Sequence, residues 1–149
     1  MGAVADTSLR ALELEKVRLR YPRWLQRLLF FRKAKGIHGV HSPLAYRLAA
    51  TVFMLPDAGR SMETRLQEAL EGFYFETVDL DGLPAALALL AQEQSGALWV
   101  ENTSAGRTGW LAACADARVT LAIDCFDSGL LLRAPGIREK QYLRQRRKK

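Results

Sequence analysis

The chain has 149 residues, 49% of them hydrophobic, and a net charge of +6, which suits one domain with a single buried core and excludes a disordered chain. No apolar run is long enough to span a bilayer, and the start, Met1 to Ser8, lacks the basic region and apolar stretch of a secretory leader. A cytoplasmic globular domain is therefore expected. Cys114 and Cys125 sit in apolar surroundings without Cys-x-x-Cys spacing, so they are predicted to be small buried hydrophobes and not a disulfide framework.

The net charge hides a segregation. Arg10, Lys16, Arg18, Arg20, Arg23, Arg27, Arg32, Lys33 and Lys35 outnumber Glu13 and Glu15 near the start, and from Arg138 to Lys149 seven basic residues face only Glu139. Between Asp57 and Asp127 acidic residues dominate. Two basic arms thus flank an acidic body. They either dock on it or reach for an anionic partner, nucleic acid or a membrane surface.

In chain order, Ser8 to Arg20 has helical spacing, with Ser8 as the expected cap and Leu9, Leu12, Lys16 and Leu19 near one face. Tyr21-Pro22 breaks it, because proline disfavours helical backbone in the residue before it. A second helix, Arg23 to Ala34, carries an apolar stripe of Trp24, Leu25, Leu28, Leu29 and Phe31. Packing on the chain's own core is the expected fate of that stripe, and a membrane interface is the alternative. Ser42-Pro43 starts a third helix running to about Leu55, since a capping side chain precedes a residue with no amide to satisfy. His38 and His41 lie just ahead of it. Nothing nearby in sequence completes a metal site, so ring packing or loop hydrogen bonding is expected of them.

Ser61 caps a helix reaching about Glu71, and Phe73 to Leu80, aromatic and β-branched, is a strand. Asp81-Gly82 turns the chain into a helix from Leu83 to Gln94, with Pro84 in its first turn. A second strand, Ala97 to Glu101, leads into a helix holding Trp110, Leu111 and Cys114. From Val119 to Asp124 apolar and small or polar residues alternate, Asp127-Ser128-Gly129 supplies turn chemistry, and Leu130-Leu131-Leu132 is continuously apolar. This predicts a hairpin whose return strand is buried on both faces. The order strand–helix–strand–helix–hairpin predicts an α/β fold, a largely parallel sheet with one antiparallel strand, preceded by N-terminal helices. The expected organisation is a basic helical segment (1–56), an α/β half-domain (57–136) and a frayed basic tail (137–149).

Two stretches carry a resemblance. His38-Gly39-Val40-His41-Ser42-Pro43 resembles the opening motif of a group of bacterial class I S-adenosylmethionine-dependent methyltransferases, and Val119 to Arg133 resembles their closing hairpin. The resemblance implies a partial Rossmann-like methyltransferase sheet. In metal-dependent members of the wider fold, acidic residues end the fourth strand and an Asp-Asn pair the fifth. On that analogy Asp79, Asp81, Glu101 and Asn102 are candidate ligands for a divalent cation, against the plainer role of starting the helices that follow. The departure is equally specific. No Gly-x-Gly turn follows an early strand, and 55–73 leaves no room for the cofactor-binding half.

The reading is a shortened, degenerate methyltransferase-like domain, non-catalytic, expected to hold no cofactor and to act through protein interaction. The exposed edge of the 73–80 strand is the expected place for self-association or a partner. Two alternatives stand beside it: a methyltransferase that takes S-adenosylmethionine in an incomplete or shared site, and a small basic nucleic-acid-binding protein.

Overall fold

The computed structural model describes residues 6–34, 43–56, 59–137 and 140–147. Six α-helices are α1 (Asp6–Arg18), α2 (Arg23–Lys33), α3 (Pro43–Leu48), α4 (Met62–Ala69), α5 (Leu83–Leu90) and α6 (Arg107–Cys114). Five strands are β1 (Tyr74–Val78), β2 (Gly96–Glu101), β3 (Leu121–Asp124), β4 (Ser128–Arg133) and β5 (Gln141–Arg144). They form one sheet in the order β1-β2-β4-β3-β5. β1 runs parallel to β2 and β3 to β5, while β4 is antiparallel to both of its neighbours. Every strand but β4 therefore points the same way, and the mixed α/β sheet preceded by helices agrees with a partial Rossmann-like arrangement.

Side chains alternate across a strand, so each strand feeds two layers. Leu98 and Val100 of β2, Ala122 of β3 and Leu131 of β4 join Leu12, Leu87, Leu90, Trp110 and Leu111 on the face covered by α1, α5 and α6. Ala97, Trp99, Leu121, Ile123, Leu130 and Leu132 face the opposite layer, with Leu48, Phe53, Leu66 and Leu70 from α3, α4 and their connections. The run Leu130-Leu131-Leu132 is apolar throughout because both of its faces are covered. Each such buried leucine contributes about 1.5–3 kcal/mol relative to an exposed one.

Local signals place several boundaries. Ser61 caps α4, its Oγ accepting from the Thr64 amide at 3.1 Å. Pro84 lies in the first turn of α5. Past α4 the chain turns at Gly72, whose φ of +88° is the left-handed backbone that glycine tolerates. At the hairpin the structure differs from the expected turn. The turn is Cys125–Asp127, and Ser128 and Gly129 already belong to β4. Gly129 is required by packing: a Cβ there would stand 2.2 Å from Cζ2 of the buried Trp110 and 2.9 Å from the Ile123 carbonyl.

Four other expectations are corrected. Ser8 is not a helix cap. It lies inside α1, and its hydroxyl accepts the Tyr142 amide of β5 at 3.0 Å. The inward face of α1 is Ser8, Leu12, Glu15 and Arg18, while Leu9 is exposed, so the face lies about one residue from the apolar count. The stripe of α2 does not pack inward as a whole: Trp24 is 68% and Leu28 54% exposed, and Phe30 is the fully buried residue. Residues 141–144 are not part of a frayed tail but strand β5, paired with β3. In addition, α3 is only six residues long and passes into a wider π-helical turn, Ala49–Phe53. Both cysteines are free and buried, as expected of small hydrophobes. Among the described residues no helix is long and apolar enough to cross a membrane.

Candidate functional site

In an open α/β sheet, ligands bind outside the carboxyl ends of the parallel strands. Here those ends are Val78, Glu101, Asp124 and Arg144. Among the described residues two non-glycines have positive φ, Asn102 at 63° and Phe126 at 73°, and both lie within two residues of a strand end on this edge. For a bulky residue such as phenylalanine that backbone costs about 1–3 kcal/mol, and it persists only where the surroundings fix it.

What fixes it is a buried network of charges. Asp124, fully buried at the end of β3, accepts from Arg107 Nη1 at 2.9 Å and from the Phe126 amide at 2.9 Å through Oδ1. Its Oδ2 accepts from the Tyr142 hydroxyl at 2.5 Å. Arg107, the first residue of α6, donates its other terminal nitrogen to Glu15 Oε1 at 3.1 Å. Glu15 Oε2 accepts from Arg18 at 2.9 Å and from Arg144 at 3.2 Å. The chain thus draws α1, α6, β3 and β5 together through one line of alternating charge. Burial pulls the Arg107 guanidinium down, yet Asp124, Tyr142 and Glu15 outweigh it and hold the group above its ordinary value. Burial, then the charge of Asp124, pushes the Tyr142 phenol and the Cys114 thiol well above theirs. Cys125 is raised for the same two reasons, so neither thiol is an activated nucleophile.

Above this network lies an aromatic lid. The Arg107 guanidinium sits 4.6 Å from the Phe126 ring centroid and 5.4 Å from that of Phe30. Phe30 and Phe126 pack with centroids 5.3 Å apart. From α2, Arg27 makes a two-pronged contact with Asp127 at 2.7 and 2.5 Å, and that hydrogen bond raises its guanidinium. Thr103, just after β2, ties in the hairpin turn, donating its hydroxyl to the Phe126 carbonyl at 2.6 Å and its amide to the Asp127 carbonyl at 3.1 Å. From the C-terminal arm, Arg147 donates to Ser128 Oγ at 3.1 Å. Several arginines of the two basic arms are therefore spent on the body of the same chain.

Four of the residues singled out from the sequence lie beside this edge. Asp79, Asp81, Glu101 and Asn102 are all exposed. Asp79 Oδ1 accepts the Gly82 amide at 2.8 Å, a turn that leads into α5. Among the described residues no group of three or more His, Cys, Asp and Glu side chains is gathered for a metal ion. His38, Gly39, His41 and Ser42 lie outside the described residues, and Pro43 opens α3. Glu15, Arg107 and Asp124 are not among the candidates that the sequence pattern singles out. One signal pointed to each carboxylate: an acid on the inward line of α1, and an acid ending an otherwise apolar strand.

Away from this edge the surface carries clefts of about 400 Å³ beside Arg47 and Arg65 and about 530 Å³ beside Gln92 and Arg133. A cavity of about 320 Å³ lies between α5 and α6, lined mainly by Leu83, Leu87, Ala112 and Ala113 with Asp116 and Arg118 at its rim. No protein family, curated protein or solved structure matches the chain.

Proposed function

We propose that this chain is a methyltransferase-like domain that has lost catalysis and works through protein contacts in the cytoplasm. The observation that carries the reading is that the carboxyl ends of β3 and β5 are filled by the chain's own side chains. There Arg107 is hydrogen-bonded to both Asp124 and Glu15, and Phe30 and Phe126 pack over it. Admitting a nucleoside there means parting buried charges whose separate desolvation costs several kcal/mol each.

The order β1–α5–β2–α6–β3–β4, strand–helix–strand–helix–hairpin, supports descent from the methyltransferase sheet. The residues present do not suit S-adenosylmethionine, because no glycine-rich turn follows an early strand to let the backbone approach the ligand. Buried free thiols suit a reducing compartment. The test is calorimetric titration of S-adenosylmethionine and of its demethylated product into the full chain. Flat titrations to several hundred micromolar are expected. Saturable one-to-one heat overturns the reading.

A further inference from the structure

β1 is an edge strand, and β2 is the only strand paired with it among the described residues. Its pairing register decides which backbone groups are used. The Tyr74 amide donates to the Ser95 carbonyl at 3.0 Å while Tyr74 stands opposite Gly96. In a parallel ladder this turns the N–H and C=O of Tyr74, Glu76 and Val78 toward β2 and those of Phe75 and Thr77 outward. With β2 as its one paired neighbour among the described residues, β1 spends neither the Phe75 nor the Thr77 amide on its ladder. α1 lies against β5, at the far edge of the sheet, and does not cover β1.

Such an edge invites another strand. Its own side chains say which. Tyr74 and Val78 pack toward the layer of α5 and α6, and Phe73 and Phe75 toward the opposite layer. On the first of these faces the Tyr74 hydroxyl already donates to Glu76 at 2.5 Å. In an antiparallel two-fold pairing centred on Phe75, Tyr74 of one copy stands opposite Glu76 of the other. A donor then meets an acceptor on one face and two phenylalanine rings meet on the other. Centring the axis on Glu76 would instead set two carboxylates face to face, which disfavours that register.

We infer that β1 pairs with β1 of a second copy of this chain, antiparallel about a two-fold axis at Phe75, to make one continuous sheet across a dimer. This rests on the reading of the chain as an interaction domain, in which no cofactor-half strand occupies the edge. It is an isologous contact, so it closes at two copies and leaves no further β1 edge free.

The decisive variant is Thr77→Pro. The Thr77 amide points outward, so proline deletes a donor of the dimer without touching the β1–β2 ladder, and proline is tolerated on an edge of this kind. Wild-type protein is expected to sediment as a dimer at micromolar concentration. Thr77→Pro is expected to sediment as a monomer with an unchanged far-ultraviolet spectrum. The register is tested with Tyr74→Cys and Glu76→Cys chains: oxidation of their mixture is expected to give the crossed disulfide dimer, and oxidation of Glu76→Cys alone to give none.

A wild-type chain that stays monomeric at high micromolar concentration overturns the inference, as does a dimer that survives in folded Thr77→Pro. Efficient cross-linking of Glu76→Cys with itself overturns the register. If Thr77→Pro does not fold, the wild-type sedimentation and the cysteine mixture decide. Binding of S-adenosylmethionine by a chain that nonetheless dimerises through β1 would overturn the non-catalytic reading and leave this inference standing.

Discussion

Arg107→Ala is the substitution that most directly perturbs the filled ends of β3 and β5. It removes the donor to Asp124 at 2.9 Å and to Glu15 at 3.1 Å, carboxylates that are respectively 0% and 2% exposed. Glu15 keeps Arg18 and Arg144, and Asp124 keeps the Tyr142 hydroxyl and the Phe126 amide. Asp124 is then left without a cationic partner in this network. Breaking a buried pair from one side costs about 3–5 kcal/mol, against a total of roughly 5–15 kcal/mol for a domain. At about 2–4 °C per kcal/mol for a chain of this size, the melting temperature should fall by roughly 6–20 °C. Circular dichroism melts and urea titrations measure it. Arg27→Ala is the internal control, because Arg27 and Asp127 are 47% and 43% exposed and such a pair is worth about 1 kcal/mol or less. If Arg107→Ala melts no lower than Arg27→Ala, the network does not hold the edge closed.

Other outcomes follow from single contacts. Gly129→Ala should destabilise the chain by about 1–3 kcal/mol in urea titration, because the rigid Trp110 ring and the Ile123 carbonyl leave no space for the methyl. Ser8→Ala should cost about 1–3 kcal/mol and speed exchange of the Tyr142 amide, whose acceptor it removes. The bond from Arg118 holds the Asp116 carboxyl at about 2, below its ordinary 3.8. Its contribution to stability is therefore complete above about pH 4 and lost as the pH falls toward 2, and Asp116→Asn should flatten that part of an acid titration.

What could be read from the sequence was local. Ser61 caps its helix through a bond three residues away, Pro84 sits where a helix needs no amide, and Leu130-Leu131-Leu132 declares two covered faces by composition alone. What could not be read depends on distant partners. Residues 141–144 sit in a basic segment with weak strand signals, and they become β5 because β3, Ser8 and Asp124 supply their bonds. Glu15, Arg107 and Asp124 lie far apart in the chain, and each alone resembles an ordinary charge. Gly129 resembled a turn glycine because the ring of Trp110 that excludes its Cβ is contributed by another element. Trp24 and Leu28 had the spacing of a core stripe, but α2 turns Phe30 inward instead.

Hydrogen exchange at the carboxyl edge, followed by mass spectrometry with and without S-adenosylmethionine, tests the closed site most directly. The amides of Thr103, Phe126 and Gln145 are bonded to the Asp127 carbonyl, the Asp124 carboxylate and the Asp124 carbonyl, with Phe126 fully buried. Peptides spanning them should exchange slowly, near the limit set by global unfolding, and at the same rate when the cofactor is present at several hundred micromolar. Exchange as fast as in the exposed turns of α2, or protection that appears only with S-adenosylmethionine, would contradict the account.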